Sequence, residues 1–167
     1  MQLPLIDLLC DHGADPDSVI RAAALHGEIE SVSALIARGA RIDLPVAAAQ
    51  GRIDDARGLL PNANHEDRDL VLSIASDLGH VDVVRLLLDA GEDPNRYNPV
   101  GGHSHTTPLH QAAGSGHDEV VRLLVERGAR LDLKDILWHG TPADWARRGG
   151  KTAIEAYLRA QETGSGK

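Results

Sequence analysis

The chain has 167 residues and a mass of 17.8 kDa, with 17 Lys+Arg against 25 Asp+Glu and a net charge of −8 at pH 7. One domain is the default at this length, and so acidic a chain has no broad basic surface for nucleic-acid phosphates or anionic membrane headgroups. Hydrophobic residues at 42 % exclude wholesale disorder, but with no Phe the core must come from Leu, Val, Ile and Ala.

Cys10 is the only cysteine. No intramolecular disulfide and no cysteine-based zinc cluster can form, which suits a reducing cytoplasm. The opening Met1 to Asp7 lacks the basic stretch of a signal peptide. No apolar run approaches the roughly 20 residues that span a bilayer. Gly101-Gly102 is a turn pair rather than a strand-to-helix phosphate loop, so no cofactor is expected.

In chain order, Leu3 to Cys10 reads as a lone amphipathic helix without a partner, and Leu5, Leu8 and Leu9 are a candidate homodimer contact. From there a frame repeats. A glycine opens it at 27, 51, 79, 116 and 149, at intervals of 24, 28, 37 and 33. Each frame carries apolar residues at helical spacing, such as Ile29, Val32 and Leu35, or Val120, Leu123 and Leu124. Arg38-Gly39 and Arg127-Gly128 supply a cation and a glycine stop. An Ala-rich helix precedes each frame, at Ala22 to Ala24, Ala47 to Ala49, Ile74-Ala75, Ala112-Ala113 and Trp145-Ala146. Such helix pairs cannot bury their apolar faces alone, but stacked copies can.

At Thr107-Pro108-Leu109-His110-Gln111-Ala112-Ala113 the sequence resembles the ankyrin repeat, and the match runs through Gly116-His117 to Gly128-Ala129. Thr107 is placed to cap a helix whose first turn holds Pro108. The resemblance implies an all-α solenoid of helix-turn-helix units with short β-turn fingers over residues 1–160. It divides into a half repeat at 5–17, repeats at about 18–43, 44–69, 70–106, 107–133 and 134–160, and a flexible tail at 161–167. The first two junctions, before Ala23 and Ala47, are too short for fingers. Two later fingers are long, at 96–106 and 135–140. The first of them, Asn95-Arg96-Tyr97-Asn98-Pro99 running to His103-Ser104-His105, is similar to that of a group of bacterial ankyrin-repeat proteins.

The resemblance also implies a concave face formed by the fingers and by the two residues before each frame glycine. Here these include Asp77 and Leu78, Gly114 and Ser115, and Arg147 and Arg148. Small residues at 114 and 115 leave room beneath the longest finger, with Tyr97, His103, His105, Trp138 and His139 around it. Loop side chains on a rigid scaffold are where function resides. His80, His117 and His110 are assigned to structure, as motif histidines. His12 and His65 are read as solvent-facing. On an extended arm His103 and His105 point the same way, which admits a metal only if a third ligand such as His139 joins them; no metal is expected. Asp144 is read as a helix-end carboxylate.

The leading reading is a non-catalytic module that binds a protein partner through this groove. The alternative is a small-molecule site, or a cofactor-independent acid–base enzyme of isomerase or cyclase type, using His105, His139, Asp144 and Tyr97.

Overall fold

The computed structural model describes residues 11–100 and 103–164. Its helices run α1 (Asp17–Leu25), α2 (Ile29–Ala37), α3 (Leu44–Ala49), α4 (Ile53–Leu59), α5 (His65–Leu78), α6 (Val81–Asp89), α7 (Pro108–Ser115), α8 (Asp118–Glu126), α9 (Pro142–Arg148) and α10 (Thr152–Gly164). No strand occurs among the described residues. The architecture is the all-α stack expected from the repeats.

The odd-numbered helices pack in series, α1 on α3, α3 on α5, α5 on α7 and α7 on α9. The even-numbered helices form a second layer, with α4 against α6 and α6 against α8. Alanine makes the first layer this close. Ala47, Ala48, Ala112, Ala113 and Ala146 have no exposed surface, and each lets a neighbouring helix approach with little side chain between. Val83, Val84 and Leu87 of α6 and Val120, Val121 and Leu124 of α8 then seal the space between the layers. A second cluster, built on Val32, Leu35, Val46 and Ile74, joins the early helices.

Histidines tie one repeat to the preceding one. His80 Nε2 lies 3.0 Å from the Ala49 carbonyl oxygen, and His117 Nε2 lies 2.8 Å from that of Asp77. Gly79, with φ of 79°, sits directly under the His117 ring, where a β-carbon would collide with the imidazole. His110 is fully buried in the Thr-Pro-Leu-His segment. Its Nδ1 accepts from the Thr107 N–H at 3.2 Å and its Nε2 donates to the Gly140 carbonyl at 3.1 Å. Thr107 is the N-cap of α7 and Pro108 its first residue.

Three boundaries differ from expectation. Helix α5 begins at His65, well before residue 70, because the Asn64 side chain accepts from Asp67 N–H at 2.8 Å and caps it. His65 is therefore the first residue of a helix, exposed as expected. Helix α10 runs to Gly164, into the stretch expected as a tail, supported by an Arg159–Glu162 ion pair at 3.3 Å and by a Thr163 hydroxyl bond to the Ala160 carbonyl. The last frame glycine is Gly150, not Gly149. Gly150 carries the positive φ shared by Gly27, Gly51, Gly79 and Gly116, and Lys151 lies against Gly116 much as His117 lies against Gly79.

Helices begin at Asp17 and Leu44 immediately after short turns, so the first two junctions are fingerless. The lone helix at Leu3 to Cys10, with Leu5, Leu8 and Leu9, lies outside the described residues, as does Gly101-Gly102.

Candidate functional site at the two long fingers

The first long finger is held at its base by the residues that make it distinctive. Asn95 donates to the Gly128 carbonyl at 3.1 Å and accepts from Arg130 N–H at 2.7 Å. Arg96 pairs with Asp69 on α5 at 2.8 Å. The Tyr97 hydroxyl donates to the Lys134 carbonyl at 2.6 Å. Asn98 is buried and clasps Thr106, backbone to backbone at 2.8 Å and side chain to side chain at 3.1 Å.

The second finger is organised by Asp135, a residue the sequence reading placed in the finger without assigning it a role. Its carboxylate is fully buried. It accepts from the N–H groups of Leu137 (3.0 Å), Trp138 (2.6 Å) and Gly140 (2.8 Å), and from the Trp145 indole N–H (3.0 Å). Burial opposes its ionisation. The hydrogen bonds from Trp138, Trp145, Gly140 and Leu137 outweigh that penalty and hold its pKa at about 2. The signal available in sequence was an Asp followed by a tight turn, since an Asp side chain readily bonds backbone N–H groups two and three residues on. Among the described residues, one backbone hydrogen bond joins the two fingers, Ile136 N–H to the His105 carbonyl at 2.9 Å.

Where the fingers meet, four rings gather. His105 stands edge-to-face on Trp138 at 5.3 Å and lies 5.9 Å from Trp145. The two indoles are 6.0 Å apart, and His103 is 6.1 Å from His105. Arg148 places its guanidinium 5.3 Å above the Trp138 ring. Gly114, Trp138, Trp145, Arg148 and Gly149 line a recess of about 320 Å³.

This recess is smaller than the small residues at 114 and 115 suggested, because Trp145 occupies the space over Gly114. A β-carbon at 114 would meet Trp145 Cε3 at 3.1 Å. Ser115 is committed to Asp77, donating to its carboxylate at 2.7 Å. Leu78 belongs to the earlier core cluster and packs beside Gly27. Arg147 faces Asp144 at 3.5 Å and does not line the recess; the frame shift to Gly150 gives Arg148 and Gly149 the concave positions.

The His103 and His105 pair is not on an extended arm. His103 has φ of 59°, and its carbonyl accepts from Thr106 N–H in a turn. His139 likewise has positive φ, at an exposed tip. Among the described residues no group of three or more His, Cys, Asp or Glu could hold a metal.

Of the side chains considered for acid–base work, three have other partners. Tyr97 is bonded to Lys134, and His105 faces the indoles. Asp144 closes a reciprocal cap with Thr141, whose N–H bond to it is the main cause of its lowered pKa, and pairs with Arg159 at 2.8 Å. Asp144 thus has the helix-end role expected of it.

Exposed apolar side chains single out this region. Of the large hydrophobics exposed among the described residues, Tyr97, Val100, Ile136, Leu137 and Trp138 all lie on the two fingers; Val19 and Ile29 are the others. No helix among the described residues is long and apolar enough to cross a membrane.

Comparison with known proteins agrees with the fold. A family model described as ankyrin repeats (3 copies) matches residues 44–135. The chain is similar to cyclin-dependent kinase inhibitor 2A of Homo sapiens, 35 % identical over 127 residues, which cover 73 % of this chain and 78 % of that protein. It is also similar to cyclin-dependent kinase 4 inhibitor B of Rattus norvegicus, 33 % identical over 131 residues, which cover 75 % of this chain and 97 % of that protein. With the family model spanning more than half of its residues and the repeat geometry present throughout the stack, the chain belongs to the ankyrin-repeat family.

Proposed function

We propose that this protein-binding module meets its partner at the tips of the fingers spanning 96–106 and 135–140 and in the recess between them. One observation carries the reading: an acidic, otherwise well-covered stack exposes Ile136, Leu137 and Trp138 consecutively, at 56, 59 and 55 % of their surface, on a finger whose backbone Asp135 fixes. Leaving apolar side chains in water is unfavourable, and a contiguous patch on a rigid loop is the surface a partner covers. Trp and Arg, the residues most often decisive at interfaces, stand together here as Trp138 and Arg148. Tyr97 contributes its exposed ring edge while its hydroxyl keeps the finger in place. His103, His105 and His139 are the polar margin. The similarity to two cyclin-dependent kinase inhibitors supports a protein partner and makes a protein kinase the first to be tried.

The test is affinity capture with the parent chain and with a Leu137→Ser, Trp138→Ala variant of unchanged circular dichroism. A partner held by the parent and lost by the variant is expected. A cognate partner that both chains retain equally would sink the assignment.

A further inference from the structure

Resting on that docking site, we infer that the recess receives a partner segment in which an apolar side chain is followed closely by a carboxylate. The chain is acidic overall, at −8, and its arginines are almost all neutralised internally. Among the described residues, only Arg85 and Arg148 have no carboxylate within ion-pair distance. Arg85 sits on α6, outside both fingers and the recess lining. Arg148 lines the recess, with its guanidinium over the Trp138 ring.

The carboxylates of the second finger and of α9 are already engaged. Asp135 is enclosed by four N–H donors, and Asp144 is held by Thr141, Arg147 and Arg159. Neither the finger nor α9 therefore supplies a counter-ion to Arg148. A guanidinium resting on an aromatic face keeps its N–H fork available at the edge, which is the geometry that takes a carboxylate in two parallel hydrogen bonds. The rest of the recess is apolar. Its glycines, Gly114 and Gly149, contribute no side chain, and the two indoles present their rings. An aliphatic side chain fits against the indoles while the neighbouring carboxylate reaches Arg148. Lys151, lying against Gly116, adds a second cation at the same end of the stack.

The probes are three matched series of short peptides without Trp or Tyr, in which Leu is followed by Glu, by Gln or by Lys. They are titrated against the full chain, and binding is read from its two tryptophans by fluorescence and by their indole N–H resonances. The Glu series should bind roughly tenfold tighter than the Gln series at low salt, a difference of about 1.4 kcal/mol, with the Lys series weakest. Arg148→Gln should level the Glu and Gln series, and Arg148→Glu should rank the Lys series first, both with unchanged amide spectra elsewhere. Equal affinity of the parent for Glu and Gln peptides overturns the inference, as does a Glu preference that survives Arg148→Gln. If all series bind alike and Trp138→Ala abolishes that binding, the acidic partner falls and the docking site stands. If no series binds, or Trp138→Ala changes nothing, both fall.

Discussion

Gly149 stands so close to the carbonyl oxygen of Gly114 that a β-carbon at position 149 would penetrate it. The obstacle is backbone, which cannot rotate away as a side-chain tip can. Gly149 has an ordinary φ of −75°, so the requirement for glycine there is one of space rather than of dihedral angle. Gly149→Ala should therefore force α7 and α9 apart and cost about 1–3 kcal/mol, read as a lower urea midpoint. Gly128→Ala is the comparison. Nothing lies within 4 Å of its β-position, and only its φ of 88° opposes the change, so the loss should stay near 1–2 kcal/mol.

Asp135 makes stability depend on acid pH. Its native pKa of about 2 lies below the ordinary value of 3.8. On acidification the unfolded chain takes up the proton first, so the contribution is complete above about pH 4 and is lost as pH falls toward 2. The shift corresponds to about 2 kcal/mol. Asp135→Asn should remove that acid-dependent component and move the Trp145 indole N–H resonance. A variant with the parent's stability profile between pH 4 and 2 would show that the carboxylate does not hold the finger.

His110 acts in a higher window and in the same direction. Burial pushes its pKa below the ordinary 6.5. Its hydrogen bonds also require the neutral ring, with Nδ1 accepting from the Thr107 N–H and Nε2 donating to Gly140. Stability from this group is present above about pH 6.5 and declines below it, because protonation favours the unfolded chain. His110→Phe should abolish that decline and cost about 2–4 kcal/mol at neutral pH, since it leaves a buried N–H and a carbonyl unpaired. Chemical denaturation across pH 5–8 checks both statements.

Tyr97 and Trp138 should separate folding from docking. Tyr97→Phe removes one hydrogen bond to an exposed loop carbonyl and should change stability by about 1 kcal/mol or less. Trp138→Ala removes a half-exposed ring, again with a loss of about 1 kcal/mol, yet it should eliminate most partner binding. Titration calorimetry beside urea denaturation resolves the two effects.

The stack was legible in sequence because its signals are local. The glycine frames, the alanine helices and Thr107 to His110 each report on residues a few positions away, and the motif histidines His80, His110 and His117 took the structural positions expected of them. The site was legible in part. His103, His105 and Trp138 do gather, but Trp145, which fills the space over Gly114, was read as one more inner-helix residue. With Gly149 and Gly150 adjacent, only the backbone dihedral tells which one opens the frame, and that choice keeps Arg148 in the recess, brings Gly149 into it and leaves Arg147 out. Tyr97 was a candidate contact by its place on the long finger, yet the partner of its hydroxyl, Lys134, lies 37 residues on, beyond any local pattern.

The backbone hydrogen bond from Ile136 N–H to the His105 carbonyl has a consequence for anyone dissecting this surface. A ligand that grips one loop also loads the other, so paired substitutions at Val100 and Leu137 should be non-additive, with an interaction energy that vanishes once Ile136→Pro deletes the shared donor.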